Sequence, residues 1–175
     1  MTKKTIALGV TGSIAAYKAA DLCSKLVQAD FNVVVLMTQA AQKLVTRQTF
    51  LTLSRNPVIT DLWDMPDWQP GHIALAEEAS LLVVAPCTAN FLGKYAHGIA
   101  DDALSTYALS HAGNIIVAPA MNPKMWKNQA VQDNVALLKK RGVEFIGPAS
   151  GKVACGNDGE GRMESVEAIL AKVIK

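Results

Sequence analysis

Hydrophobic residues in this chain come in short continuous runs rather than in strict alternation. Residues 5–10, 31–37, 81–85, 114–118 and 143–146 are each dominated by apolar side chains. Runs of that length rich in Val, Ile and Leu predict strands buried on both faces. Between them the pattern changes. Thr11-Gly12-Ser13 turns the chain into a predicted helix reaching about residue 29, with Gly12 allowing a tight turn and Ser13 expected as the N-cap. Further helices are predicted over 46–55, 72–79, 101–110, 131–141 and 163–174, and a short strand over 58–63. Gly142 stands just past the 131–141 helix as a stop signal. Alternating strands and helices predict an α/β fold of three layers, a mainly parallel sheet flanked by helices.

Ligands of such sheets bind outside the carboxyl ends of the strands. Five strand ends here carry Thr11-Gly12-Ser13, Thr38, Thr88-Ala89-Asn90, Met121-Asn122 and Ala149-Ser150, nearly all small or hydroxyl-bearing. After the 114–118 strand comes Pro119-Ala120-Met121-Asn122-Pro123-Lys124-Met125-Trp126, which reads as a rigid loop. Each proline fixes its own φ and removes a donor, so an amide, two thioethers and an indole are presented at the strand end. Residues 64–70 and the glycine-rich run 155–162 are expected to be mobile.

Composition narrows the possibilities. The 175 residues favour a single domain, 1–175, and half of them are hydrophobic, enough for a sizeable core. A net charge of +2 without a basic stripe argues against nucleic acid as a partner. The apolar run 5–10 is too short for a signal peptide or a membrane span, so a cytoplasmic protein is expected. Cys23, Cys87 and Cys155 form neither a disulfide framework nor a CxxC pair, and no metal site is predicted.

Gly12-Ser13-Ile14 at a helix start suits a phosphate, because backbone N–H groups and the positive helix end point the same way. The loop is not GxGxxG, and the second strand ends in Thr38 rather than in an acidic residue for a ribose. A mononucleotide such as FMN therefore fits better than a dinucleotide. Thr38, Thr88, Asn90, Ser105 and Thr106 become candidates for its hydroxyls and ring edges.

These motifs resemble those of the flavin-containing cysteine decarboxylases that form homo-oligomers, above all their phosphopantothenoylcysteine decarboxylase branch. The likeness rests on the run from Gly9 to Tyr17, Gly71-His72-Ile73, the run from Ala85 to Asn90, and Gly98-Ile99-Ala100-Asp101. It is completed by Pro119-Ala120-Met121-Asn122 with Met125-Trp126, and by Ala154-Cys155-Gly156 with Gly159-x-Gly161-Arg162. The resemblance implies a Rossmann-like fold, bound FMN, homo-oligomers built from trimers, and sites shared between subunits. It also implies decarboxylation of 4′-phosphopantothenoylcysteine to 4′-phosphopantetheine in coenzyme A synthesis, with no fused synthetase domain in these 175 residues.

By the same resemblance, His72 stands beside flavin and substrate, Asn122 holds the leaving carboxylate, and Cys155 protonates the reduced intermediate. Met125 lies near the substrate, and Arg162 is a candidate anion ligand or flap anchor. Cys23 and Cys87 are read as core residues, His97 and His111 as structural. Three other readings share parts of the pattern: a peptidyl C-terminal cysteine decarboxylase, a flavin prenyltransferase and a non-catalytic regulatory subunit. The intact His72, Asn122 and Cys155 set disfavours the last.

Overall fold

The computed structural model describes residues 3–63, 75–76, 78–152 and 158–175. Its centre is a six-stranded sheet in the order β3-β2-β1-β4-β5-β6: β1 (Thr5–Val10), β2 (Asn32–Met37), β3 (Val58–Ile59), β4 (Ala79–Cys87), β5 (Asn114–Pro119) and β6 (Glu144–Phe145). Every neighbouring pair in it is parallel. The expected α/β class, with a parallel sheet between helical layers, is therefore what the chain adopts. The predicted 58–63 strand shortens to its first two residues.

Alternate strand residues face opposite layers. In β1, Ile6, Leu8 and Val10 join Ala16, Leu22 and Leu26 of helix α1 (Ala16–Gln28) and Ile169 of the closing helix α8 (Val166–Ile174). On the other face, Leu82 and Val84 of β4 meet Leu92 of α4 (Ala89–Ala96), Leu104 and Tyr107 of α5 (Ala103–Ser110) and Leu138 of α7 (Gln129–Lys140). Gly9 makes room there, because a Cβ would stand 2.7 Å from Leu104 Cδ1. Cys23 and Cys87 are buried free thiols, and burial alone pushes the Cys23 pKa up to about 12. Both are core residues, as expected.

Shorter elements complete the chain: α2 (Gln39–Gln42), α3 (Arg47–Ser54), α6 (Pro123–Trp126), and an antiparallel hairpin of β7 (Ala149–Lys152) with β8 (Asp158–Arg162). Leu75, Ala76 and Glu78 are helical, within the predicted 72–79 helix. His72, Cys155 and the 64–70 segment lie outside the described residues.

His111 closes α5 from below. Its Nδ1 lies 3.0 Å from the Tyr107 hydroxyl and its Nε2 3.3 Å from the Asn114 carbonyl, in a buried setting. The Nε2–H donates to that carbonyl, and Nδ1 shares a hydrogen bond with the phenol. Burial lowers its pKa below 6.5, opposed by the bond to Asn114. A depressed histidine pKa means that the unfolded chain binds more protons, so stability is full above about 6.5 and declines as the pH falls through it. Denaturant unfolding between about pH 5 and pH 8 should show that slope, and His111→Gln should flatten it. An unchanged slope in the variant would remove His111 from this role.

Candidate functional site

The sheet order turns back on itself between β1 and β4, and a ligand crevice belongs at such a switch point. A cavity of about 570 Å³ opens there, within the usual range for small-molecule sites. Its walls come from four strand ends: Thr11–Ser13 after β1, Thr38–Ala40 after β2, Thr88–Phe91 after β4, and Ala120, Met121 and Met125 after β5.

The first wall is the start of α1. Ser13 is not the N-cap that the sequence suggests. Its hydroxyl accepts from the Ala15 N–H at 3.3 Å, and the chain makes one more turn before entering the helix at Ala15. The first turn of α1 thus has no side-chain cap, and of its leading N–H groups those of Ala16 and Lys18 donate to the Ser13 and Ala15 carbonyls at 2.8 and 2.9 Å. Gly12 has no room for a side chain, since a Cβ would collide with that of Ala40. Backbone donors, a helix N-terminus and a glycine forming the wall make a cradle for a phosphate.

Thr38 and Thr88 begin the second and third walls as N-caps. Their hydroxyls accept from the Ala41 and Phe91 N–H groups. Asn90 lies two residues past Thr88, on the exposed side of α4. Met121 and Met125 supply apolar surface, Met125 being 48% exposed. Such a mixture fits FMN: a phosphate cradle at one end, hydroxyl and amide groups along the side, and apolar walls for a flat ring.

The sequence reading missed one component. Lys94 lines the cavity and pairs with Asp101 at 2.7 Å and Asp102 at 3.0 Å. Burial pulls the lysine pKa down, but the hydrogen bonds and charges of the two carboxylates outweigh it and leave the pKa above 10.5. The Lys94 hydrogen bond holds Asp101 below its usual value. Lys94 and Asp101 therefore stay ionised as a pair through neutral pH. Asp101 stood in a family motif, while Asp102 followed by Ser105 has the spacing of a reciprocal cap.

That cap explains Ser105, which is fully buried. Asp102 accepts from its N–H at 2.8 Å, and the serine hydroxyl accepts from the Asp102 N–H at 3.1 Å. Thr106 directs its hydroxyl to the Ala100 carbonyl at 3.5 Å. Neither lines the cavity, and neither does Ile14, which is 61% exposed. Gly12, Ser13, Thr38, Thr88, Asn90 and Met125 are brought together around it.

The stretch expected as a rigid loop is partly helical. Asn122 caps α6, accepting from the Lys124 N–H at 2.8 Å, and Pro123 occupies the first helical position, where its missing N–H costs nothing. Oδ1 is thereby fixed as the acceptor, which makes Nδ2 the donor end of the amide. Trp126 is buried in the core. The hairpin docks on this segment: the Met121 N–H donates to the Gly161 carbonyl at 2.9 Å. A Cβ on Gly161 would strike the Met121 carbonyl, and one on Gly159 would lie 3.0 Å from Pro123 Cβ. Arg162 Nη1 lies 2.8 Å from where a Gly151 Cβ would stand, away from the cavity lining.

A family described as Flavoprotein matches residues 1–175. The chain is 45% identical over 176 residues to a probable phosphopantothenoylcysteine decarboxylase of Streptococcus mutans serotype c, covering 99% of this chain and 98% of that one. It is 44% identical over 173 residues to the coenzyme A biosynthesis bifunctional protein CoaBC of Bacillus subtilis, covering 97% of this chain and 42% of the relative. The chain therefore spans about two fifths of that bifunctional relative. Among solved structures it is similar to a PPC decarboxylase mutant complexed with pantothenoylaminoethenethiol. That match has a TM-score of 0.88 and 28% identity, and covers 99% of this chain and 97% of the other. It is also similar to the FMN-dependent cysteine decarboxylase SpaF, with a TM-score of 0.82, 30% identity and 98% of each chain covered.

Proposed function

Because this chain belongs to the flavoprotein family, we propose that it binds FMN and decarboxylates 4′-phosphopantothenoylcysteine to 4′-phosphopantetheine in coenzyme A synthesis. The observation that carries this reading is the switch-point cavity, with its phosphate cradle and Met121–Met125 wall, in a chain similar along almost its whole length to a probable decarboxylase of that substrate.

FMN, when bound, supplies the two-electron oxidation of the substrate thiol to a thioaldehyde and the return of those electrons after CO2 has left. Gly12, Ser13 and the start of α1 hold its phosphate, and Thr38, Thr88 and Asn90 meet its polar edges. The apolar walls exclude water from the ring.

The remaining chemistry belongs to this chain's residues. The thioaldehyde sits β to the carboxylate, so the electron pair of the breaking C–C bond passes into the C=S group and leaves an ene-thiolate. Asn122 holds the carboxylate with a neutral donor. Such a donor orients an anion that must leave as uncharged CO2, whereas a lysine would bind the starting carboxylate too well. His72 assists thiol deprotonation or orients the substrate, and Cys155 returns the proton. Arg162 serves as a hairpin anchor.

The protein acts as a homo-oligomer, as a trimer or multiple of trimers, and in the cytoplasm. Exposed Ile14 and Tyr17 beside the cavity support a subunit contact there. Among the described residues no helix is long and apolar enough to cross a membrane.

Incubating the purified yellow protein with 4′-phosphopantothenoylcysteine should give a product lighter by one CO2 with no net oxidation, read by mass spectrometry. An unchanged substrate with FMN bound would overturn the substrate and point to a peptidyl cysteine.

A further inference from the structure

Backbone pairing between β1 and β4 stops at Gly9–Val84, short of both cavity turns. It cannot resume through Pro86, which has no N–H to donate. One side chain bridges the gap. Thr11, 1% exposed, donates its hydroxyl to the Pro86 carbonyl at 2.7 Å and accepts from the Thr88 N–H at 3.0 Å. Its own carbonyl accepts from the Ser13 N–H at 2.9 Å. On the other side of β1, the phosphate turn is tied to β2 by backbone, Thr38 N–H to the Val10 carbonyl at 3.1 Å. Thr11 is thus the link between the turn that carries Gly12 and Ser13 and the turn that carries Thr88 and Asn90.

We propose that Thr11 is a positioning residue that sets the separation of these two turns, and with it the fit of a phosphate-bearing flavin. The hydroxyl donates and accepts at once, which valine cannot do at similar volume. Without it the two turns lose their common reference, and a ligand seated against one is misplaced on the other. This inference rests on the FMN reading above.

The test measures dissociation constants for FMN and riboflavin by flavin fluorescence in wild type, Thr11→Ser, Thr11→Cys and Thr11→Val, with thermal unfolding alongside. Serine should match wild type within about threefold. Valine should weaken FMN by about tenfold or more while riboflavin changes less, so that the preference for the phosphate shrinks. Cysteine, a weak donor, should fall between. A purely structural role would lower the unfolding temperature and leave that preference unchanged, which would overturn the proposal. Should valine fail to fold, a cysteine variant with the wild-type preference overturns it equally. Failure of the wild type to bind FMN would instead overturn the cofactor reading itself.

Discussion

Cys155→Ser should still release CO2 but yield a product two hydrogens short of the saturated thiol. A thiol of pKa near ~8.5 is mostly protonated at neutral pH and is still acidic enough to give up that proton. A serine hydroxyl is a far weaker acid in nearly the same volume. The substitution therefore separates two events: loss of CO2 precedes the proton step and proceeds, while saturation stalls. Mass spectrometry distinguishes the two products, and counting CO2 against saturated thiol gives the ratio directly. Complete conversion to the saturated thiol by this variant would take the proton step away from Cys155.

Asn122→Ala should lower decarboxylation at least about tenfold with FMN still bound, because a hydrogen bond to a charged group contributes roughly 1.5–3 kcal/mol. The structure complicates that substitution. Asn122 also caps α6 through Oδ1, and removing a cap costs about 1 kcal/mol of stability. Asn122→Asp resolves the ambiguity: it keeps the acceptor for the Lys124 N–H and replaces the amide donors by a charge that repels the substrate carboxylate. The aspartate variant should keep the α6 cap and bind FMN, yet turn over more slowly than the alanine variant. Equal turnover in all three proteins would end the carboxylate-holding role.

Hydrophobic pattern alone located β1, β2, β4, β5 and most of the helices, because strands buried on both faces have little choice but to be apolar throughout. Elements without that constraint were missed. Helix α4 (sequence ANFLGKYA) is short, contains Gly93 and follows a turn that already read as a ligand loop. The β7–β8 hairpin is glycine-rich and polar, so neither propensity nor alternation marks it. Pro123 after Asn122 is a helix start in residue chemistry, yet two prolines in five residues read more naturally as a stiff loop. Gly12, Ser13, Thr38, Thr88 and Asn90 were readable as cavity-lining residues because they stand just past strand ends. Lys94 was not, since it enters the cavity only when α4 folds over the β4 end and α5 brings Asp101 and Asp102 to meet it. The Thr11 bridge joins positions 75 and 77 residues apart, a pairing that tertiary structure alone reveals.

The contact between the hairpin and the Asn122 segment needs glycine on the hairpin side. Gly161 lies against the backbone of Met121 and Pro123, and Gly159 against the ring of Pro123. Divergence is therefore partitioned in an unusual way. The outward residues of the two hairpin strands can be rewritten without altering the seat, while the two glycines tolerate almost nothing. A variant with new outward residues on the hairpin strands should keep its thermal stability, and one that moves either glycine by a single position should not.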